Sequence, residues 1–382
     1  MATNGNGNPL SKIKPHKIIL PVIIGLAAVA YMFWKEFEPG SFSAIEFGKW
    51  TVIWLAVAIV LMLFRDIGYI LRLMILTDGE FTFRKALRVI MLWEFTSAIT
   101  PSAIGGTSVA ILYVNKEGLS VGRSSAVVMA TSFLDELYFI LMFPLLLFIV
   151  KPSTLFSTGL ASTGDFSLTN NLLIIAGVGF LVKLIYVAIL SYGLFVNPRG
   201  LKWLLLWIFK LPILRRWKHG ANAAGYEIIS NSKSFKQKPL SFWLKAFGAT
   251  FFSWTSRYWV ANALLLAFFP IGDHLLIFAR QLVMWIMMLV SPTPGGSGFA
   301  EYVFTKFLGE FIPVEPVMLG SVVVALALLW RIVSYYPYLI IGAIMFPKWI
   351  KDKFIDTETK TSTEDTKPAA EKEFAKEEEV YT

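Results

Sequence analysis

Apolar residues in this chain come in blocks, and the blocks are of two kinds. Six read as full membrane-spanning helices, at about 18–34, 50–64, 124–150, 171–196, 241–270 and 316–346; the second extends to 76 if Arg65 and Asp66 lie inside the bundle. Two others are interrupted. Val89–Ala98 leads into Ile99-Thr-Pro-Ser-Ala-Ile-Gly-Gly-Thr-Ser108 and resumes as Val109–Val114. Leu275–Val290 leads into Ser291-Pro-Thr-Pro-Gly-Gly-Ser-Gly298 and resumes at about 299–309. Proline lacks the backbone donor and glycine opens positive φ, so neither break is expected to be helical. The arms are too short to cross about 30 Å of hydrocarbon, and lipid tolerates irregular backbone only where protein buries it or water reaches it. The pattern therefore predicts two re-entrant hairpins. Their tips are Pro101, Gly105, Gly106 and Thr107 in the first, and Pro292, Pro294, Gly295, Gly296, Ser297 and Gly298 in the second. Laying Gly105-Gly106-Thr107 on Gly295-Gly296-Ser297 relates them by an offset of 190, half the chain.

Composition agrees with an all-α polytopic integral membrane protein: 56% of the residues are hydrophobic and 16% charged, against about 25% charged in soluble domains. Cysteine is absent, and His16, His219 and His274 fall at predicted helix ends. That argues against disulfides, thiolate nucleophiles, a zinc cluster and a Ser-His pair. No cofactor or metal is expected, no Walker-type phosphate loop occurs, and the net charge of +9 points to anionic headgroups rather than nucleic acid. The layout reads as a polar N-terminal segment 1–17, a membrane domain 18–350 with halves at about 18–150 and 171–346, and an acidic disordered tail 351–382. The basic, Trp-rich stretch 199–219 reads as an amphipathic helix lying in the interface.

The lysines and arginines set the orientation. With the N-terminus inside, cytoplasmic loops hold 23 of them and outer loops four, which predicts a cytoplasmic-membrane protein with both termini cytoplasmic. The first hairpin then enters from inside and the second from outside. Each half reads as span, span, hairpin, span in opposite orientations, the inverted-repeat plan of secondary transporters.

Charge inside the membrane marks the candidate site. Full spans carry Asp135 with Glu136, Lys183, Arg257 and Arg331, and the hairpin arms add Glu94, Arg280 and Glu301. Each charge at a helix centre costs about 2.5–3.5 kcal/mol on insertion, so these groups should face one another or water. The functional reading puts Arg280, Arg257 and Arg331 around a phosphate, because guanidinium groups grip phosphate oxygens in pairs and stay charged when desolvated. Glu301 either caps the second hairpin's outgoing helix or meets an amine or proton, and Asp135 and Glu94 are further proton carriers. The structural readings make Lys183 a snorkelling side chain and pair Arg257 and Arg331 with Asp135 and Glu136. The first two spans carry no central charge and read as peripheral.

The motifs Thr100-Pro-Ser-Ala-Ile-Gly-Gly106, Lys116-Glu-Gly-Leu119, Pro294-Gly-Gly-Ser-Gly-Phe-Ala-Glu301 and Leu329-Trp-Arg-Ile-Val-Ser-Tyr-Tyr-Pro337 resemble the flippase-like transmembrane domain of lysylphosphatidylglycerol synthases and their stand-alone relatives. The likeness covers about 50–346. It implies a membrane protein that moves aminoacylated or other polar lipids between leaflets. Two departures stand out. The full-length synthases carry a soluble aminoacyl-transferase domain, where about 30 residues follow here, and many relatives have an arginine soon after the first Gly-Gly, where this chain has Ser108-Val-Ala-Ile. The expectation is a non-enzymatic translocator whose partners are membrane lipids (phospholipid, aminoacylated or polyprenyl-linked), with the oligomeric state open, a homodimer included. The alternatives are a transporter of a small anionic solute, and an intramembrane transferase using Asp135, Glu136 or Glu301 as general base.

Overall fold

A computed structural model describes residues 31, 34, 47–100, 102–156, 166–196, 200, 235–288, 291, 293 and 295–355. The expected first span at 18–34 (31 and 34 apart), the interfacial helix 199–219 (200 apart), the tail beyond 355 and the tip residues Pro101, Pro292 and Pro294 lie outside them. The described secondary structure is helical: α1 Lys49–Leu76, α2 Phe83–Ile99, α3 Ser102–Lys116, α4 Val121–Ile149, α5 Pro152–Phe156, α6 Phe166–Ser191, α7 Leu240–Leu266, α8 His274–Met288, α9 Phe299–Leu308, α10 Pro316–Ser334 and α11 Tyr336–Ile350. Among the described residues, four stretches are long and apolar enough to cross a membrane: Lys49–Leu76, Val121–Ile149, Ile174–Val196 and Pro316–Lys353. The chain is a multi-pass membrane protein. At 27 residues α7 is long enough, but it carries Lys245, Arg257 and the hydroxyls of Thr250, Ser253, Thr255 and Ser256.

Ion pairs and ring contacts define two poles. At one, Arg123 at the start of α4 bonds Asp78 and Glu80 in the turn after α1, and Lys238 before α7 reaches Asp78 as well. Close by, buried Glu117 takes Arg88 at 3.1 Å, Lys353 at 3.3 Å and the Trp349 indole at 3.1 Å, tying α2, α3 and α11 together. At the other pole Phe47 meets Phe268 at 5.8 Å, and His274 meets Asn262 at 3.2 Å. The pair α2/α3 starts and finishes at the first pole, and α8/α9 at the second.

Within the first pair the structure redraws the sequence reading. Helix α3 begins at Ser102, so Gly105, Gly106 and Thr107 lie in its opening turns and the break narrows to Thr100 and residue 101. Gly106 serves close packing instead: a Cβ there would fall 2.0 Å from the Ser97 hydroxyl on α2. At the C-terminal end the helix runs past the expected domain boundary at 350, with a wider helical turn at Lys351–Ile355.

The expectation that the second span is peripheral does not hold. Helix α1 continues unbroken through Arg65 and Asp66 to Leu76 and packs along α7. Glycine makes that approach feasible. A Cβ on Gly68 would sit 2.8 Å from both the Ala249 carbonyl and the Ser253 Cβ, and the Ser253 hydroxyl donates to the Arg65 carbonyl at 2.7 Å. Small residues are how helices meet closely in lipid, where no hydrophobic force drives them together. Gly68→Ala should therefore lower stability by about 1–3 kcal/mol, read as an earlier thermal transition of the detergent-solubilised protein; an unchanged transition would contradict this packing.

Candidate functional site

The two breaks meet. Gly295, Gly296 and Gly298 take φ of 58°, 68° and 81°, left-handed values that only glycine adopts cheaply, and these turns bring the tip against the end of α2. The Gly295 amide reaches the Thr100 carbonyl at 3.5 Å. The Tyr335 hydroxyl, at the joint between α10 and α11, donates to the Ala98 carbonyl at 3.0 Å and lies 3.5 Å from Ser297 Oγ. There is no room to spare: a Cβ on Gly295 would fall 2.4 Å from that hydroxyl and 2.7 Å from the Ala98 carbonyl. Tyr335→Phe removes one buried hydrogen bond, worth about 0.5–1.5 kcal/mol. Faster hydrogen exchange at 295–298 is the expected result; unchanged protection would mean the tips do not depend on this hydroxyl.

Beside the joined tips lies a cavity of about 310 Å³. Its wall is drawn from α1, α2, α3, α4, α7, α8, α9, α10, α11 and the second tip, and carries four arginines, Arg65, Arg72, Arg257 and Arg331, with Glu94 and Asp135. Three of the arginines are engaged. Arg331 bonds the Gly295 carbonyl at 3.1 Å, pairs with Glu301 at 3.0 Å and lies 3.5 Å from the centre of the Tyr335 ring. Arg72 chelates Asp135 and reaches Thr250 Oγ1 at 3.3 Å; the Trp254 indole donates to the same carboxylate at 2.6 Å. Arg65 lies between the rings of Tyr69 and Tyr338, at 4.5 and 4.9 Å, and touches two carboxylates, Asp66 at 2.8 Å and Glu94 at 2.5 Å.

Arg257 differs. Among the described residues no carboxylate lies within 4.0 Å of it. Its guanidinium faces the rings of Trp254 and Trp285 at 5.6 and 5.0 Å, and it is half-buried on the cavity wall. Indole faces hold the cation in place without discharging it. Gln281 and the methionines Met284 and Met288 continue the wall from α8.

The structure thus keeps Arg257, Arg331, Glu94 and Asp135 at one site and moves two expected members away. Arg280 is fully buried elsewhere: it donates to the carbonyls of Phe307 at 2.8 Å and Thr154 at 2.9 Å and pairs with Glu310 at 2.6 Å. It ties α8 to the far end of α9 and to α5, and is a fastener of the second pole. Glu301 is likewise buried and off the wall. It accepts from the Gly298 amide at 2.7 Å, capping α9, while neutralising Arg331. Lys183 is buried against Glu136 at 2.6 Å and the Phe139 ring at 4.5 Å, away from the cavity, so it does not snorkel. Asp135 pairs with Arg72 rather than with Arg257 or Arg331.

Sequence reasoning missed Arg65, Arg72, Tyr69, Trp254, Trp285 and Tyr338. For the first two a signal existed. Apolar residues run up to Phe64 before Arg65 and resume from Ile67 to Leu76 around Arg72, and a spacing of seven residues puts both on one helix face. Among the described residues no three His, Cys, Asp or Glu side chains gather as metal ligands would.

Residues 18–342 match the family model described as the lysylphosphatidylglycerol synthase TM region. A curated relative, a UPF0104 membrane protein of Archaeoglobus fulgidus, is 24% identical over 348 residues, which is 88% of this chain and 98% of the relative. No solved structure matches the chain.

Proposed function

Since this chain belongs to the lysylphosphatidylglycerol synthase transmembrane family, we propose that it carries a phosphate-bearing lipid headgroup between leaflets through the cavity at the joined breaks, leaving the acyl chains in lipid. The observation that carries this reading is Arg257: a cation on the wall of a central cavity, held by two indoles and, among the described residues, left without a carboxylate. A half-buried cation inside the membrane with no counterion at hand is costly unless an anion comes to it. A phosphodiester supplies one charge and two oxygens in the geometry a guanidinium fork accepts.

Two ion pairs at the cavity hold the architecture. Arg331 and Glu301 brace the second tip, and Arg72 and Asp135 join α1 to α4. Asp135 and Glu301 are thus held by donors that compete with a role as general base, which favours transport over lipid chemistry. In this reading the two breaks are re-entrant tips that form the thin barrier, and movement where they touch exposes the cavity to each side in turn. The basic pole at Arg88, Arg123, Lys238 and Lys353 faces the cytoplasm, as the charge asymmetry of the loops suggests.

The test is reconstitution. In liposomes holding a fluorescent phosphatidylglycerol in both leaflets, the protein should make the inner-leaflet dye accessible to an external membrane-impermeant quencher, and Arg257→Gln should slow this strongly. If no phospholipid or polyprenyl phosphate moves and the protein instead passes a small organic anion into sealed vesicles, the solute-transporter reading replaces this one.

A further inference from the structure

Around the cavity the charges balance, but they are not evenly matched. Arg72 has Asp135 and Arg331 has Glu301, while Arg65 is shared by Asp66 and Glu94 and, among the described residues, Arg257 has no carboxylate within 4.0 Å. The Arg65 cluster therefore carries one excess negative charge, and Arg257 supplies the compensating positive one from across the same cavity. A phosphodiester that neutralises Arg257 leaves that excess uncompensated in a poorly solvated space.

One carboxylate is placed to absorb the difference. Asp66 receives Arg65 at 2.8 Å and the Tyr338 hydroxyl at 2.9 and 3.0 Å. Asp135 has Arg72 and the Trp254 indole, and Glu301 has Arg331 and the Gly298 amide. Among the described residues Glu94 has only its share of Arg65, and its side chain keeps 24% of its exposure on the cavity wall. The groups that face it are Arg65, Asp66 and Tyr69 on α1 and Tyr338 on α11; the remaining wall charges are Arg72, Asp135, Arg257 and Arg331.

We infer that Glu94 is a proton-binding site of the cavity, so that an anionic phosphodiester bound at Arg257 enters together with one proton on Glu94. The inference rests on the headgroup reading above and deepens it by giving transport a link to the proton gradient. The proton comes from solvent on the side to which the cavity is open, and no bond other than the carboxyl O–H is made. A headgroup with its own ammonium, as in phosphatidylethanolamine, brings the compensating charge and needs no proton.

Calorimetric titration of the full chain in detergent, with short-chain phosphatidylglycerol in two buffers of different ionisation enthalpy, counts the protons. The expected result is uptake approaching one proton per lipid, with affinity falling by up to about tenfold per pH unit on the alkaline side. Phosphatidylethanolamine should bind with none. Glu94→Gln should abolish the uptake and flatten the pH dependence, and the wild-type count stands even if that variant does not fold. Phosphatidylglycerol binding with no proton uptake between pH 5 and 8 overturns the proton site and leaves the headgroup reading intact. Failure of the wild type to bind any phosphodiester overturns both.

Discussion

Arg257→Gln is expected to weaken phosphatidylglycerol binding by about 10–100-fold while changing stability by less than about 1 kcal/mol. The magnitude follows from the loss of charge-assisted hydrogen bonds, about 1.5–3 kcal/mol, at about 1.4 kcal/mol per tenfold. The small stability change follows from the surroundings: Arg257 makes ring contacts, no carboxylate among the described residues lies within 4.0 Å of it, and the excess charge it balances at the Arg65 cluster is left for a proton on Glu94 to neutralise. Glutamine keeps much of the side-chain volume between Trp254 and Trp285 while removing the charge. Titration and thermal unfolding of the same preparation separate the two effects. Arg280→Gln should show the reverse, because that guanidinium holds two backbone carbonyls and Glu310 away from the cavity. Equal affinities in wild type and Arg257→Gln would remove the basis for a phosphate site.

The largest stability loss is expected from Arg331→Ala. Glu301 is completely buried and depends on Arg331 for its counterion, so the truncation leaves an uncompensated carboxylate beside the second tip. Breaking a buried pair from one side costs about 3–5 kcal/mol. Part of this loss is in the tip itself, since Arg331 also holds the Gly295 carbonyl. Adding Glu301→Gln should recover a good part of the stability: the amide oxygen can still accept from the Gly298 amide, and the stranded charge is gone. Denaturant unfolding of the two variants measures this. If the double variant is no more stable than Arg331→Ala, the pair is not what secures the tip.

Arg257 and Arg331 look alike in sequence, each an arginine near the middle of an apolar span. What separates them is the distance to an acid on another segment: Glu301 stands 30 residues before Arg331 and reaches it only because α9 folds back from the tip. Arg280 shows the same limit. Its position in a short hairpin arm suggested the cavity, yet the face of α8 on which it lies turns toward the end of α9, while its neighbour Gln281 lies on the cavity wall. Adjacent residues on a helix diverge by about 100°, so a single step in register exchanges a wall residue for a fastener.

Sequence by itself determined the membrane class, the two interrupted segments and the requirement that charges within the apolar spans be satisfied inside. Each follows from a local property: apolar length against hydrocarbon thickness, proline and glycine against helix geometry, and charge against an apolar solvent. Only the tertiary structure decided that α1 is central, that the first break lies at Thr100 rather than at the glycines, and that Glu301 belongs to Arg331. It also left Arg257 without a carboxylate among the described residues. Pairing is a relation between helix faces brought together by packing, and helical rotation together with approach distances such as that at Gly68 sets those relations over ångströms that no pattern along the chain records.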